Sequence, residues 1–157
     1  GTTAFWDYLD DDAVSPVPVR IRVQVTVADG TIHLDFTGTD PQVLSALNLP
    51  SLGLRHPWLT QRLLHFVTTH DPEVPLNAGI LRAVRVTVPR GCLLNPEFPA
   101  ATGVRHAAGV RHASRGCAAL ARTTPRSRPR RRGGWAQQVE KRGVCCCFLH
   151  DFSMFPR

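Results

Sequence analysis

The chain has 157 residues, 43% of them hydrophobic, which is enough for one ordinary domain with a real core. Its formal charge of +7 is unevenly spread: residues 1 to 104 carry seven arginines against ten acids, whereas residues 105 to 157 carry twelve Lys and Arg against Glu140 and Asp151. The basic pI therefore describes the second segment, which weakens a nucleic-acid reading of the first, and no apolar run approaches the roughly 20 residues of a membrane-spanning helix. The opening GTTAFWDYLDDD has neither the basic start nor the apolar run of an export signal, and five cysteines are an odd number. These features point to a cytoplasmic protein with reduced thiols.

In chain order, the first element is VPVRIRVQVTV, where Val17, Val19, Ile21, Val23, Val25 and Val27 alternate with polar residues. Strict alternation and β-branched content predict a half-buried strand. Asp29-Gly30 supplies the positive-φ pair of a two-residue hairpin turn. The return strand, Thr31 to Phe36, then puts Ile32, Leu34 and Phe36 inward and Thr31, His33 and Asp35 outward. Asp40 and Pro41 fit the cap and first position of a short helix running through QVLSAL towards Asn48. A second helix is predicted from Pro57 to Thr69, with Trp58, Leu59, Leu63, Phe66 and Val67 on one stripe and His70-Asp71-Pro72 as its stop. After the loop PEVPLNAG, a further alternating run spans Ile80 to Val88, and CLLNPEFPA follows as an extended segment. This mixture lacks a clean βαβ alternation and predicts an α+β partial domain with two or three helices. Beyond Val104 the apolar period stops and arginine accumulates, so residues 105–157 are expected to be a low-order tail.

Taken together and in order, the opening GTTAFWDYLDDD, the hairpin ending LDFTGTDPQ, the Asn48-Leu49-Pro50 step, PLNAGILRAVRVTVP and PRGCLLNPEFPA resemble the hydantoinase B/5-oxoprolinase B family. The likeness covers about residues 1 to 104. It implies an internal piece of a longer subunit of an ATP-dependent enzyme that opens cyclic amides such as 5-oxoproline or a hydantoin. By the same resemblance, a hydantoinase A-like subunit or domain uses the ATP to phosphorylate the ring carbonyl. A divalent metal would belong to an N-terminal region outside this chain. Related enzymes carboxylate ketones, and a non-catalytic truncated product is the alternative outside the enzyme class. Where the family continues with an alanine-rich helix and VPAAGGG, this chain reads RPRRRGG. A one-base slip in GC-rich codons converts one into the other, so the tail is expected to be frameshifted after roughly Val104 to Ser114.

Three side chains are candidates for substrate binding. Asp35 lies before a Gly-containing turn that could present its carboxylate. Asn77 in PLNAG and Asn95 in LLNP each offer both donor and acceptor to an amide ring. All three are also ordinary turn residues, and turn chemistry is the reading we favour. His65 with Asp71 reads as helix surface and helix stop, Cys92 as a small hydrophobe, and His33 beside Asp35 as a cross-strand position before a metal site. Three adjacent cysteines, Cys145 to Cys147, lack the spacing of a zinc site. The tail's arginines with Trp135 could grip nucleic acid through charge and stacking, but mistranslation is the reading we favour. Val84, Val86 and Val88 are expected to lack apolar partners and to make the isolated chain associate.

Overall fold

The computed structural model describes residues 1–12 and 14–104; the expected low-order tail, residues 105–157, lies outside them. Four strands form one mixed sheet in chain order: β1 (Thr2–Leu9), β2 (Val19–Ala28), β3 (Thr31–Asp35) and β4 (Val84–Thr87). The first two pairings are antiparallel and the β3–β4 pairing is parallel. Parallel neighbours need a crossover connection. Here the chain makes it through helix α1 (Pro57–His70) and a 3-10 turn at Ala78–Leu81.

The hairpin forms as its alternation predicts. Asp29 and Gly30 take φ values of 49° and 70°, the left-handed pair that matches strand twist in a two-residue turn. Val19, Ile21, Val23, Val25 and Val27 are buried, and Ile32, Leu34 and Phe36 oppose them on the same face. Val17 stays 64% exposed, because the strand begins two residues later than the alternation does. Strand β1 has no sequence pattern that predicts it. Its apolar content is irregular, and it is defined by pairing with β2 from Thr2↔Thr26 to Leu9↔Val19 rather than by a pattern of its own.

Helix α1 opens on His56, whose Nδ1 accepts the Trp58 amide N–H at 3.2 Å, with Pro57 at the first position. Leu59, Leu63, Phe66 and Val67 are buried in one core with the inner face of the sheet. The helix predicted from Asp40 is absent. Both Asp40 carboxylate oxygens are taken by Arg20, one by its backbone N–H at 2.7 Å and the other by its guanidinium at 3.4 Å. The amides that would start the helix donate elsewhere, Gln42 to the Gly91 carbonyl and Val43 to Asn48 Oδ1. A cap cannot act when its acceptor and its donors are both committed. The stretch is instead a loop laid against residues 91–97.

The expectation that Val84, Val86 and Val88 lack partners is corrected as well. Val84 and Val88 are buried, and Val86 packs on the core, because parallel pairing places Val84 beside Ile32 and Val86 beside Leu34. None of the described helices is long and apolar enough to cross a membrane.

Candidate functional site

The outer face of the sheet carries the polar half of each alternating strand. Gln24, Asp35 and Thr87 lie in one row across β2, β3 and β4, with Thr26, His33 and Arg85 in the next. Trp6 stands beside Arg22 and is 58% exposed. On this face His33 Nε2 and Thr87 Oγ1 are 2.8 Å apart and share a hydrogen bond.

Asp35 ends β3 at the edge of this surface. Its Oδ1 accepts two hydrogen bonds from Thr37, from the backbone N–H at 2.9 Å and from the hydroxyl at 2.6 Å. No described residue donates to Oδ2. Partial burial pushes the carboxyl pKa up, but the Thr37 hydroxyl, the Thr37 N–H and the nearby His33 and Arg22 charges outweigh it and leave the value below the ordinary 3.8. Asp35 is therefore a fixed, ionised acceptor with one oxygen committed and, among the described residues, the other without a donor.

A lowered folded value means that the stability Asp35 contributes is present above its unfolded pKa and is lost as pH falls through the folded one. The gap in urea midpoint between wild type and Asp35→Asn is accordingly expected to close on acidification below the ordinary carboxylate range. A gap that does not change with pH would contradict this. Solvent screening at this partly exposed site keeps the effect small.

The other candidates sit apart from Asp35 or serve their own loops. Asn77 caps the 3-10 turn, accepting the Gly79 N–H on Oδ1 at 2.8 Å, and lies before the start of β4 whereas Asp35 pairs with its last residue. Asn95 is buried and donates through Nδ2 to the Val88 carbonyl at 3.1 Å, closing the loop that Gly91 begins. His65 is exposed, and among the described residues no hydrogen bond or ion pair joins it to Asp71.

Cys92 is 4% exposed, and burial raises its thiol pKa despite nearby backbone N–H groups. A raised, sealed thiol is a poor nucleophile. Iodoacetamide is therefore expected to label Cys92 slowly in the folded chain and rapidly in denaturant, read by peptide mass mapping. Equal rates would show that the site is open. Among the described residues no three His, Cys, Asp or Glu side chains are grouped to hold a metal.

Sequence reasoning missed Arg22, Asn48 and Thr87. Arg22 and Thr87 occupy unremarkable polar positions of their strands, and only the register brings them beside the Asp35 turn. Asn48 stands out in the sequence only as part of a motif, yet it is fully buried and makes four hydrogen bonds.

The family model described as hydantoinase B/oxoprolinase matches residues 1–144, running beyond Val104. A Pseudomonas protein whose name makes it the B subunit of a D-/L-hydantoinase is 36% identical over 121 residues, 75% of this chain and 20% of that protein. The 5-oxoprolinase PfmaA of Pestalotiopsis fici is 33% identical over 91 residues, 58% of this chain and 6% of its own length. The 5-oxoprolinase of Saccharomyces cerevisiae is 31% identical over 103 residues, covering 64% and 7%. The chain thus spans a fifth or less of the length of these relatives. No solved structure matches.

Proposed function

From the premise that this chain belongs to the hydantoinase B/oxoprolinase family, we propose that it forms part of an enzyme that opens cyclic amides at the expense of ATP. The observation that carries this reading is the family match, supported by relatives named for hydantoinase and for 5-oxoprolinase. An unstrained lactam is a poor electrophile. Phosphorylation of its carbonyl oxygen turns that oxygen into a leaving group, and a hydantoinase A-like partner subunit or domain is proposed to supply this step from ATP. The B part then handles the activated ring and its hydrolysis in the cytoplasm.

Within the described residues, Asp35 is the side chain we assign to the substrate. An ionised carboxylate only accepts hydrogen bonds, so its available oxygen suits the ring N–H of a lactam or hydantoin. Asn77 and Asn95 remain weaker substrate-binding candidates, since the bonds described above tie them to their own loops.

The test is a substrate panel on the enzyme assembled from its A and B parts. ADP release with 5-oxoproline or a hydantoin, without bicarbonate, is the expected result. A strict bicarbonate requirement with ketone substrates would replace hydrolysis by carboxylation. We also propose that the chain is translated out of frame after roughly Val104 to Ser114, because RPRRRGG departs from the family's VPAAGGG even though the family match runs to residue 144. Genomic sequence from the codon of Asn95 to that of Trp135 is expected to restore an Ala- and Leu-rich helix and VPAAGG in a neighbouring frame; its absence from all three frames would discard the idea.

A further inference from the structure

The turn that holds Asp35 is itself held by one side chain from the neighbouring strand. Arg22 on β2 donates from Nη1 to the Thr37 carbonyl and from Nη2 to Gln24 Oε1 at 3.2 Å. Its backbone exchanges two hydrogen bonds with the Thr39 hydroxyl, each 3.1 Å. Between those anchors Gly38 takes φ +92°, and a Cβ placed there would come within 3.0 Å of Arg22 Cδ. The arginine stem thus lies across the only residue of the turn that has no side chain. Thr37 in turn fixes Asp35 Oδ1 through its amide and its hydroxyl.

We propose that Arg22 is the positioning residue of Asp35, clamping the Thr37–Thr39 turn so that the carboxylate presents Oδ2 in one orientation; this rests on the reading of Asp35 as the substrate contact. The guanidinium suits the task because its donors diverge in a fixed plane, so one reaches the turn carbonyl while another is braced by Gln24. The charges that act on Asp35 are His33 on its own strand and Arg22 on β2, with Arg85 on β4 paired beside His33.

The experiment follows the Asp35 carboxyl carbon by NMR against pH in the 157-residue chain, with the Thr37 amide exchange rate measured in parallel. In Arg22→Met the Asp35 midpoint is expected to move up and Thr37 exchange to quicken about five-fold, the loss of one ordinary hydrogen bond. In Arg22→Lys the charge remains but the planar fork is lost, so the midpoint should stay near wild type while exchange stays fast. Thr37 exchange unchanged in either variant overturns the clamp, whatever the midpoint does, and so does an unmoved midpoint in Arg22→Met. If Arg22→Met fails to fold, the lysine variant decides alone. Asp35→Asn in the assembled enzyme separates the two readings: unchanged KM and kcat would remove Asp35 from the substrate while leaving the clamp standing.

Discussion

Asn48→Asp is expected to cost about 4 kcal/mol or more at neutral pH, a large part of the roughly 5–15 kcal/mol that holds an ordinary domain together. Asn48 is fully buried. Its Oδ1 accepts the Val43 N–H at 2.9 Å, and its Nδ2 donates to the carbonyls of Val43, Ser45 and Ala101 at 2.7, 3.2 and 2.9 Å. One side chain therefore ties the loop after Asp40 to the segment that ends the described chain. A carboxylate in its place would turn an oxygen towards three carbonyl oxygens, away from water. Asn48→Ala removes the same bonds without adding charge and should cost less, about 3 kcal/mol.

The pH dependence separates charge from lost bonding. Burial among acceptors would raise the new carboxyl's folded pKa above its unfolded value of about 3.9. The deficit of Asn48→Asp is then smallest below the unfolded value and grows as pH rises through the folded one. Urea unfolding at several pH values reads this directly. A wild-type midpoint at neutral pH would mean that Asn48 is solvated and that the loop is held by other contacts.

Phe36→Ala is the second large effect, about 3–5 kcal/mol. Phe36 is the largest of the fully buried side chains among the described residues, and its backbone N–H donates to the Thr87 carbonyl at 2.9 Å. It sits between Asp35, which faces outward, and Thr37, which holds the Asp35 carboxylate. Emptying its pocket therefore loosens both the core and the turn. Thermal unfolding should fall by more than about 12 °C for a domain of this size. Phe36→Leu keeps most of the volume and should lose far less. If the two variants melt alike, cavity formation is not what the position feels.

How much of this is legible in the sequence depends on whether the signal is local. The hairpin from Val19 to Phe36 is readable because period-two alternation and Asp29-Gly30 specify strand, face and turn together. Helix α1 is readable because its apolar stripe and its Pro57 start agree. The short helix expected after Asp40 fails for an instructive reason: Asp-Pro is a good local start, but Arg20, Gly91 and Asn48 take the groups that the start would use. Strand β1 escapes detection because its exposed Trp6 and Tyr8 break the alternation, and pairing with β2 decides its conformation.

The site follows the same division. Asp35, Asn77 and Asn95 can be named from residue type and turn context, and the likeness to a known family comes from motifs in order along the chain. What each side chain does is set by register and by backbone neighbours, which sequence spacing does not encode. The sequence by itself determined the hairpin, the helix stripe and the family, since those depend on residues a few positions apart or on motif order. Only the tertiary structure decided that Val84 and Val88 are covered, that Asn48 is a buried latch and that Arg22 lies across Gly38. The latch alone reaches a residue 53 positions away, and the free energy of such a contact depends on a partner that the local chain cannot specify.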